Sequence, residues 1–290
     1  MPVYASSPIK RTRRNKAEIA AIKAAIHGVI AEDHPMTVRQ TFYRLVASGT
    51  IHKTEAEYKG TVCRLLTVMR RDGEIPWGWI TDYTRVRRKP KTYGDIEAAI
   101  ADTAQAYRRS VWRDLGVRVE IWCEKDALAG VLLNEAWQFD VPLMVTRGYP
   151  SLSFLHAAGE EIEDSGKPTF IYYFGDHDPS GVHIPVTVQA GLREFAPSAE
   201  IHFERVAVLP EQIREMGLPT RPTKKTDSRS KGFTGASVEV DAIPPRALRK
   251  LCRGRIMAHI GDDVLRVHRA AEESERGLLR AWADAFRKNV

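Results

Sequence analysis

Two short polar segments of the chain carry the residue types most able to do chemistry. One is the segment 175–181, with sequence GDHDPSG, and the other is the segment 124–126, with sequence EKD. Each follows a run rich in β-branched and aromatic residues and precedes a helical pattern, so each is predicted to lie at the end of a β-strand. Carboxylates at strand ends of an α/β sheet are hard oxygen ligands of the kind that Mg²⁺ prefers.

Asp176 and Asp178 are two residues apart, so both point to the same side while the chain is extended. Glu124 ends another strand and can join them if the two strands are neighbours. Three ionised carboxylates stay together only with a cation, which favours a divalent metal. The alternative is structural. Asp178 before Pro179 is also typical of a helix N-cap. Asp176 could be an ordinary turn residue, and Glu124 could be a solvated carboxylate beside Lys125.

The charge of the chain favours a polyanionic partner. Its 290 residues include 44 Lys and Arg against 37 Asp and Glu, which gives a net charge of +7. The basic residues cluster in runs at 10–16, 85–91 and 221–231. Such runs attract nucleic acid, although each one is equally compatible with a solvated tail or loop.

The remaining composition indicates the compartment. Cys63, Cys123 and Cys252 are far apart and have no metal-ligand spacing, which is typical of thiols in a reducing environment. No apolar stretch is long enough to span a membrane, and the N-terminus lacks the apolar region of a signal peptide. We therefore expect a soluble cytoplasmic protein, associated with the nucleoid if it binds DNA.

The first 84 residues predict three helices and a short strand. Helical periodicity begins near Lys16, and Thr37 with Gln40 forms a capping box for a second helix. A third helix is predicted from Thr54 to Gly73, followed by a strand and turn at 75–80. This order is typical of a winged helix-turn-helix, in which the third helix often enters the DNA major groove. A small helical bundle that binds another protein is the alternative.

The rest of the chain predicts an α/β fold. Residues 85–113 are predicted to form a basic linker followed by a connecting helix. This helix is predicted from Asp95 to about Trp112. Strands then alternate with helices through 114–290, a pattern that predicts a mainly parallel sheet flanked by helices. The segment 217–237 has the composition of a mobile loop. The predicted strands are 117–123, 141–146, 169–175 and 200–208, and the predicted helices are 126–138, 151–164, 179–194, 244–258 and 263–287.

Three motifs, in order, resemble those of the Toprim domain. They are Glu-Lys-Asp-Ala at 124–127, Arg-Gly-Tyr-Pro-Ser at 147–151 and Asp-His-Asp-Pro-Ser-Gly at 176–181. The order resembles in particular the topoisomerase VI A subunit and the meiotic double-strand-break transesterase. A segment at 238–243 is more loosely similar to a later family segment. The resemblance implies Mg²⁺, with Mn²⁺ as a substitute, held by Glu124, Asp176 and Asp178.

The same family carries its nucleophile in an N-terminal winged-helix domain, in a motif that ends Arg-x-x-(Phe or Tyr)-Tyr. The sequence TVRQTFY at 37–43 matches it, which makes Tyr43 the candidate nucleophile and Arg39 its companion. Both residues share a helix face, and we expect them to lie beside the apolar stripe rather than within it. Without the resemblance, a half-buried packing tyrosine is the better interpretation. An adjacent guanidinium would favour the phenolate.

The resemblance implies DNA cleavage by transesterification, with a 5′-phosphotyrosyl link and a free 3′-hydroxyl. It also implies a homodimer, because tyrosine and metal come from different protomers in the family. The chain contains no ATP-binding loop, so strand passage would require an ATPase B-type subunit. In this respect the chain is similar to reduced, stand-alone A-like proteins. The residues expected to contact DNA are Lys59, Arg64, Arg70, Arg71, Lys125 and Arg147.

One departure and three alternatives accompany this interpretation. His177 stands where the family has a small or apolar residue, and it could be a ligand, a proton carrier or a spacer. The first alternative is a Toprim nuclease that uses metal-activated water, with Tyr43 as a packing residue. The second is a DNA-binding protein with a degenerate site, and the third and weakest is a primase-like polymerase.

Overall fold

The structure, a computed structural model, describes residues 14–80, 90–222, 233 and 235–288. The three basic runs and the predicted mobile loop at 217–237 lie partly outside the described residues. Within these ranges no helix is both long and apolar enough to cross a membrane.

The N-terminal part is helical, as predicted. Its first helix buries Ile22, Ile26 and Ile30 on one side, the spacing expected of an amphipathic helix. The third helix is interrupted by a π-helical segment, which the sequence pattern did not predict. The elements are α1 (Lys16–Glu32), α2 (Val38–Ala47), α3 (Glu55–Glu57), the π-helix Tyr58–Cys63 and α4 (Arg64–Arg71).

The predicted helix ends of this part are confirmed. The Thr37 hydroxyl accepts a bond from the Gln40 N–H at 3.0 Å, and the Gln40 side chain accepts one from the Thr37 N–H at 2.8 Å. Gly49 and Gly73 follow α2 and α4 with φ of +71° and +74°, conformations that favour glycine.

The short strand predicted at 75–80 is wrong. Trp77–Trp79 form a 3₁₀ turn, and Ile80 joins Met36 in an isolated parallel bridge. Pro76 has no N–H to donate, so a continuous strand ladder is disfavoured at this point. The structure therefore establishes the helices of this part and no wing among its described residues.

The α/β prediction for the second part is confirmed. Four strands form one parallel sheet in the order β2-β1-β3-β4. The connecting helix ends at Ala106, six residues before the predicted end near Trp112. The elements are α5 (Ile96–Ala106), β1 (Arg118–Cys123), α6 (Asp126–Gln138), β2 (Leu143–Val145), α7 (Leu152–Ser165), β3 (Thr169–Phe174), α8 (Pro179–Phe195), β4 (Ile201–Ala207), α9 (Pro210–Glu215), the 3₁₀ turn Val240–Ala242, α10 (Pro245–Met257) and α11 (Asp262–Lys288).

Helices cover both faces of the sheet. Successive residues of each strand point to opposite sides, so they pack into two different cores. Ile121 and Cys123 of β1 belong to the larger core, which extends into the N-terminal helices. Trp122 between them belongs to a second core with residues of α7 and α8. A parallel sheet buried on both faces brings its carboxyl ends to one edge, and that edge carries the polar segments singled out above.

Candidate functional site

The carboxyl ends of β1 and β3 bring Glu124 and Asp176 together. Cys123 pairs with Phe174 in the sheet, so the residues that follow them are neighbours. The backbone N–H of Asp176 donates to Glu124 Oε2 at 2.9 Å. The expectation that Glu124 reaches the aspartate turn is therefore confirmed.

Two glycines allow the turn after β3 to fold this closely. A Cβ atom on Gly181 would lie 2.2 Å from the carbonyl oxygen of Asp176, and one on Gly175 would lie 2.8 Å from Glu124 Oε2. At Gly181 the obstacle is backbone, so this glycine is required by the close approach of the turn to the helix. At Gly175 the neighbours are the side chains of Tyr173 and Glu124, which would have to shift.

Arg205 of β4 stabilises the same turn, and the sequence pattern did not single it out. Its guanidinium donates to the carbonyl oxygens of Gly181 at 2.7 Å and Gly175 at 3.3 Å, and also to that of Asp176. Burial lowers the pKa of Arg205, although nearby carboxylates oppose that effect. The sequence offered no distinctive signal for Arg205, because β4 is half-exposed and carries Glu204 at the preceding position.

Asp178 occupies the helix-cap position that the structural alternative assigned to it. Its Oδ1 accepts a bond from the Gly181 N–H at 2.8 Å, and its Oδ2 lies 3.2 Å from Arg221. Among the described residues, no group of three or more His, Cys, Asp and Glu side chains is arranged to hold a metal. The predicted ligand trio is thus only partly assembled, with Glu124 and Asp176 together and Asp178 engaged elsewhere.

Glu239 and Asp241 complete the acidic cluster, and the sequence analysis gave them no role. A backbone bridge between His177 and Val238 brings them in, with N–H to oxygen bonds of 2.8 and 2.9 Å in the two directions. The Val240 N–H then donates to Asp176 Oδ1 at 2.9 Å. The loose similarity at 238–243 was the only sequence signal for this arrangement.

His177 lies beside the cluster through its backbone. Its imidazole packs against Phe233 with ring centroids 5.0 Å apart, and burial lowers its pKa. Among the roles left open for His177, these contacts favour the spacer.

Lys125 is the counter-ion at the centre of the cluster. Its Nζ lies 2.8 Å from Asp176 Oδ1, 2.9 Å from Asp241 Oδ2 and 3.7 Å from Glu239 Oε2. Burial by itself would lower the pKa of Lys125, but the surrounding carboxylates outweigh it and raise the pKa. Lys125 was expected to contact DNA, whereas the structure engages it with carboxylates of its own chain.

The helix α2 packs directly on this cluster. The Thr37 hydroxyl donates to Asp241 Oδ1 at 3.3 Å, and Arg39 forms an ion pair with Glu239 at 3.0 Å. The Arg39 guanidinium also lies 4.6 Å above the ring of Tyr58. Between α2 and the strand ends is an open cleft of about 460 Å³. Its lining includes Thr37, Val38, Arg39, Tyr58, Lys125, Ala127, Asp176, Glu239 and Asp241.

Tyr43 lies within the apolar core, and the expectation that it lies beside the core is wrong. Only 3 % of its surface is exposed, and its ring contacts that of Phe42. Burial, with a further contribution from Glu239, raises the pKa of Tyr43 to about 12, and Arg39 only partly opposes this. The stabilisation of the phenolate by the adjacent guanidinium is therefore smaller than the cost of removing the phenolate from water in this conformation.

Burial shifts the pKa of Glu124 in the same direction as that of Tyr43. Burial and the neighbouring Asp176 raise its pKa to about 7. Five carboxylates meet here, those of Glu124, Asp176, Asp178, Glu239 and Asp241, and the cations paired directly with them are Lys125, Arg39 and Arg221. Glu124 and Asp176 supply oxygen donors of the kind that a hard divalent cation takes. Asp178 would join them only after releasing Arg221.

The other expected DNA contacts lie outside the lining of the cleft. Lys59 pairs with Glu55 at 3.1 Å, and Arg70 stacks on Trp77 at 4.4 Å. Arg147, which has a positive φ of 55°, pairs with Asp126 at 2.8 Å. Arg64 and Arg71, the first and last residues of α4, are exposed. None of these side chains is among those that line the cleft.

Comparison with protein-family models and with curated proteins identified no match. The fold and the geometry of the cleft are therefore the findings from which a function is argued.

Proposed function

We propose that the chain is a metal-dependent DNA-cleaving enzyme, a tyrosine transesterase of the type found in topoisomerase VI A subunits. The observation that carries this proposal is a shared cleft. Arg39 of the nucleophile-bearing helix and the strand-end carboxylates line it from opposite sides, and an ion pair from Arg39 to Glu239 joins them at 3.0 Å. In this proposal the N-terminal helices act as a winged-helix-like DNA-binding unit and the sheet as a Toprim-like unit.

The reaction exchanges one phosphodiester for another. The Tyr43 oxygen bonds to phosphorus, the bond from phosphorus to the 3′ oxygen breaks, and the phenol proton ends on the 3′-hydroxyl. Arg39, a permanent cation, would stabilise negative charge on the phosphoryl group as this exchange proceeds. Mg²⁺ or Mn²⁺, held by Glu124 and Asp176 with Asp178, would supply Lewis-acid stabilisation of the phosphate when bound. Reversal restores the original strand, because the phosphotyrosyl link conserves the energy of the bond.

The buried phenol of Tyr43 places a condition on this chemistry. A group with a pKa of about 12 is almost wholly protonated at neutral pH. Tyr43 must therefore leave the core before it attacks, which requires a movement of α2 or of the segment that covers it. Separation of α2 from the cluster would break the Arg39–Glu239 and Thr37–Asp241 contacts and free both side chains for substrate.

The test is cleavage of supercoiled plasmid with Mg²⁺ or Mn²⁺, followed by denaturation with and without protease. We expect cleaved DNA that stays attached to protein until the protease acts. Replacement of Tyr43 by Phe should abolish the adducts and leave DNA binding intact. Adducts that persist in this variant would overturn the assignment of Tyr43 as nucleophile.

A second function is hydrolysis of DNA at the same centre, and the burial of Tyr43 favours it. In this alternative water replaces the phenol as nucleophile, and Tyr43 is a packing residue, as its 3 % exposure suggests. Cleaved ends would then be free of protein, and Tyr43→Phe would retain cleavage. Asp176→Asn should abolish cleavage in both cases, so only the state of the ends separates them.

A further inference from the structure

Two adjoining cavities lie beside the carboxyl end of α6, away from the acidic cleft. The smaller has a volume of about 180 Å³ and the larger about 510 Å³, and Arg108, Trp137 and Asp140 line both. The remaining lining comes from the segments 105–111, 137–142 and 265–272. The larger volume lies within the range of roughly 300–1,000 Å³ that is usual for sites of small molecules.

Trp137 supplies an aromatic face to both cavities. It is the penultimate residue of α6, and 63 % of its surface is exposed. An exposed tryptophan alone is ordinary on a protein surface, so the groups around it decide what it binds. With cations beside it, an open aromatic face is a platform on which a nucleobase stacks.

Two guanidinium groups line the same cavities. The Arg108 side chain is 60 % exposed and reaches Glu272 only at 3.3 Å. Arg269 of α11 lines the smaller cavity and is also exposed. A guanidinium binds phosphate oxygens through paired N–H donors, so the two arginines suit a phosphate group.

The carboxylates of the cavities do not oppose such a ligand strongly. Glu272 pairs with Arg276 at 2.8 Å and accepts a bond from the Arg109 backbone N–H at 2.9 Å, in addition to its contact with Arg108. Its charge is therefore compensated within the chain. Asp140 lines both cavities, and its carboxylate can accept bonds from the amino groups that bases carry on their edges.

His268 adds a buried polar atom to the smaller cavity. Its Nε2 is buried and has no hydrogen-bond partner within the part of the chain that the structure describes. Leaving a buried polar atom unpaired is costly, and native proteins contain few such atoms. A phosphate oxygen or a base edge bound in the cavity would supply the missing partner.

We propose that the two cavities bind one nucleotide unit, with its base stacked on Trp137 and its phosphate held by Arg108 and Arg269. The unit is either a free nucleotide or part of a DNA single strand, because both present the same base and phosphate. An apolar peptide would leave both cations without partners, so the lining favours a nucleotide. No residue lines both these cavities and the acidic cleft, so this binding is independent of the proposed function.

The first test is binding by the full chain in chelator, with dAMP and a single-stranded DNA of about 12 nucleotides as separate probes. We expect Trp137→Ala to weaken binding at least about fivefold, because the stacking platform is lost. The matched control is Trp282→Ala, since Trp282 on α11 has the same 63 % exposure and lies outside the lining of both cavities. It should bind as the wild type does.

The two probes distinguish the sources of the nucleotide. Loss of affinity for both probes in Trp137→Ala identifies a site for free nucleotides, and loss for the strand alone identifies a site for single-stranded DNA. Binding that the two tryptophan variants affect equally would overturn the proposal. A wild-type chain that binds neither probe would also overturn it and would favour a protein segment as the occupant.

The second test concerns the phosphate. Arg269→Gln should weaken binding of the strand and reduce the slope of log Kd against log salt concentration by about one. Arg266→Gln is the control, because Arg266 lies one turn earlier on α11, pairs with Asp263 at 2.8 Å and lies outside the cavity lining. Equal slopes for the two variants would contradict a phosphate contact by Arg269. Both tests measure binding without metal, so their failure is distinguishable from a failure of DNA cleavage.

Discussion

The carboxyl edge of the sheet and the core around α2 are both buried, and burial has opposite consequences in them. At the edge it raises the pKa of Glu124 to about 7, into the range where a carboxylate exchanges protons or binds a cation. In the core it raises the pKa of Tyr43 to about 12, away from the range where a phenol is a useful nucleophile. Loss of water thus prepares one group for chemistry and suppresses the other.

The two regions differ in how many polar partners surround the buried group. At the edge, backbone N–H groups, Lys125 and Arg205 satisfy the carboxylates and carbonyl oxygens of the turn. Around Tyr43 the neighbours are mainly apolar, and Lys53 Nζ lies 5.2 Å from the centre of the ring. Two of the three predicted metal ligands, Glu124 and Asp176, are therefore together, while Tyr43 could act in the proposed reaction only after a conformational change.

The turn of the acidic edge should be the most sensitive part. Gly181→Ala would place a Cβ atom 2.2 Å from the Asp176 carbonyl oxygen, so we expect a loss of roughly 3 kcal/mol or more in unfolding free energy. Thermal and urea unfolding measure this. Gly254→Ala on α10 is the control, because no atom lies within 4 Å of the new Cβ, and it should stabilise by up to about 1 kcal/mol. Equal effects of the two variants would show that the close approach is not required.

Glu124 should make the stability of the metal-free protein depend on pH. Its folded-state pKa of about 7 exceeds the ordinary value of 4.5, so its favourable contribution is complete below the ordinary value and is lost as the pH rises through 7. In chelator at about pH 8, Glu124→Gln should therefore be more stable than wild type by up to about 3 kcal/mol, and nearly equal to it near pH 4. Urea unfolding at both pH values measures this.

Added Mg²⁺ provides the complementary result for Glu124. It should stabilise the wild-type protein and leave the Glu124→Gln variant almost unchanged, since the amide is a poor ligand for a hard cation. Wild type and variant that remain equally stable at about pH 8 in chelator would contradict the pKa assigned to Glu124.

Arg205 should act on the same turn with a somewhat smaller effect. Arg205→Met removes the guanidinium donor from the carbonyl oxygens of Asp176 and Gly181, whereas that of Gly175 keeps the Val208 N–H, and we expect a loss of about 2 kcal/mol. The control is Arg255→Met, which breaks only the surface ion pair with Glu204 and should cost less than about 1 kcal/mol. Calorimetric unfolding compares the two variants, and similar costs would argue against a role for Arg205 in holding the turn.

Tyr43→Phe should have the smallest effect on stability. The ring stays in the core and only the hydroxyl is lost, so the unfolding free energy should change by less than about 1 kcal/mol. Phe42→Ala, at the adjacent buried position, should cost about 3 kcal/mol or more because it leaves a cavity. With stability preserved, any loss of covalent DNA adducts in Tyr43→Phe is attributable to chemistry. If Tyr43→Phe strongly lowered the unfolding free energy, a loss of adducts could no longer be attributed to the missing hydroxyl.

Much of the α/β part could be predicted from local patterns. The helix predicted at 126–138 has these bounds in the structure, and the strand predicted at 169–175 differs by one residue. The Thr37 capping box and the glycine ends of α2 and α4 were also predictable, since these signals act within a few residues. The segment 75–80 was mispredicted because its aromatic composition resembles that of a strand, while Pro76 and its tertiary contacts favour a turn.

The sequence by itself determined the order of strands and helices, the glycines of the turn and the presence of Glu124 and Asp176 at strand ends. Those features follow from periodicity and steric size, which are local. Only the tertiary structure decided that Glu239, Asp241 and Arg205 join the cluster, that Lys125 pairs with its carboxylates, and that Tyr43 is buried. Burial and ion pairing depend on which distant segments pack together, and the spacing of residues along one chain does not contain that information.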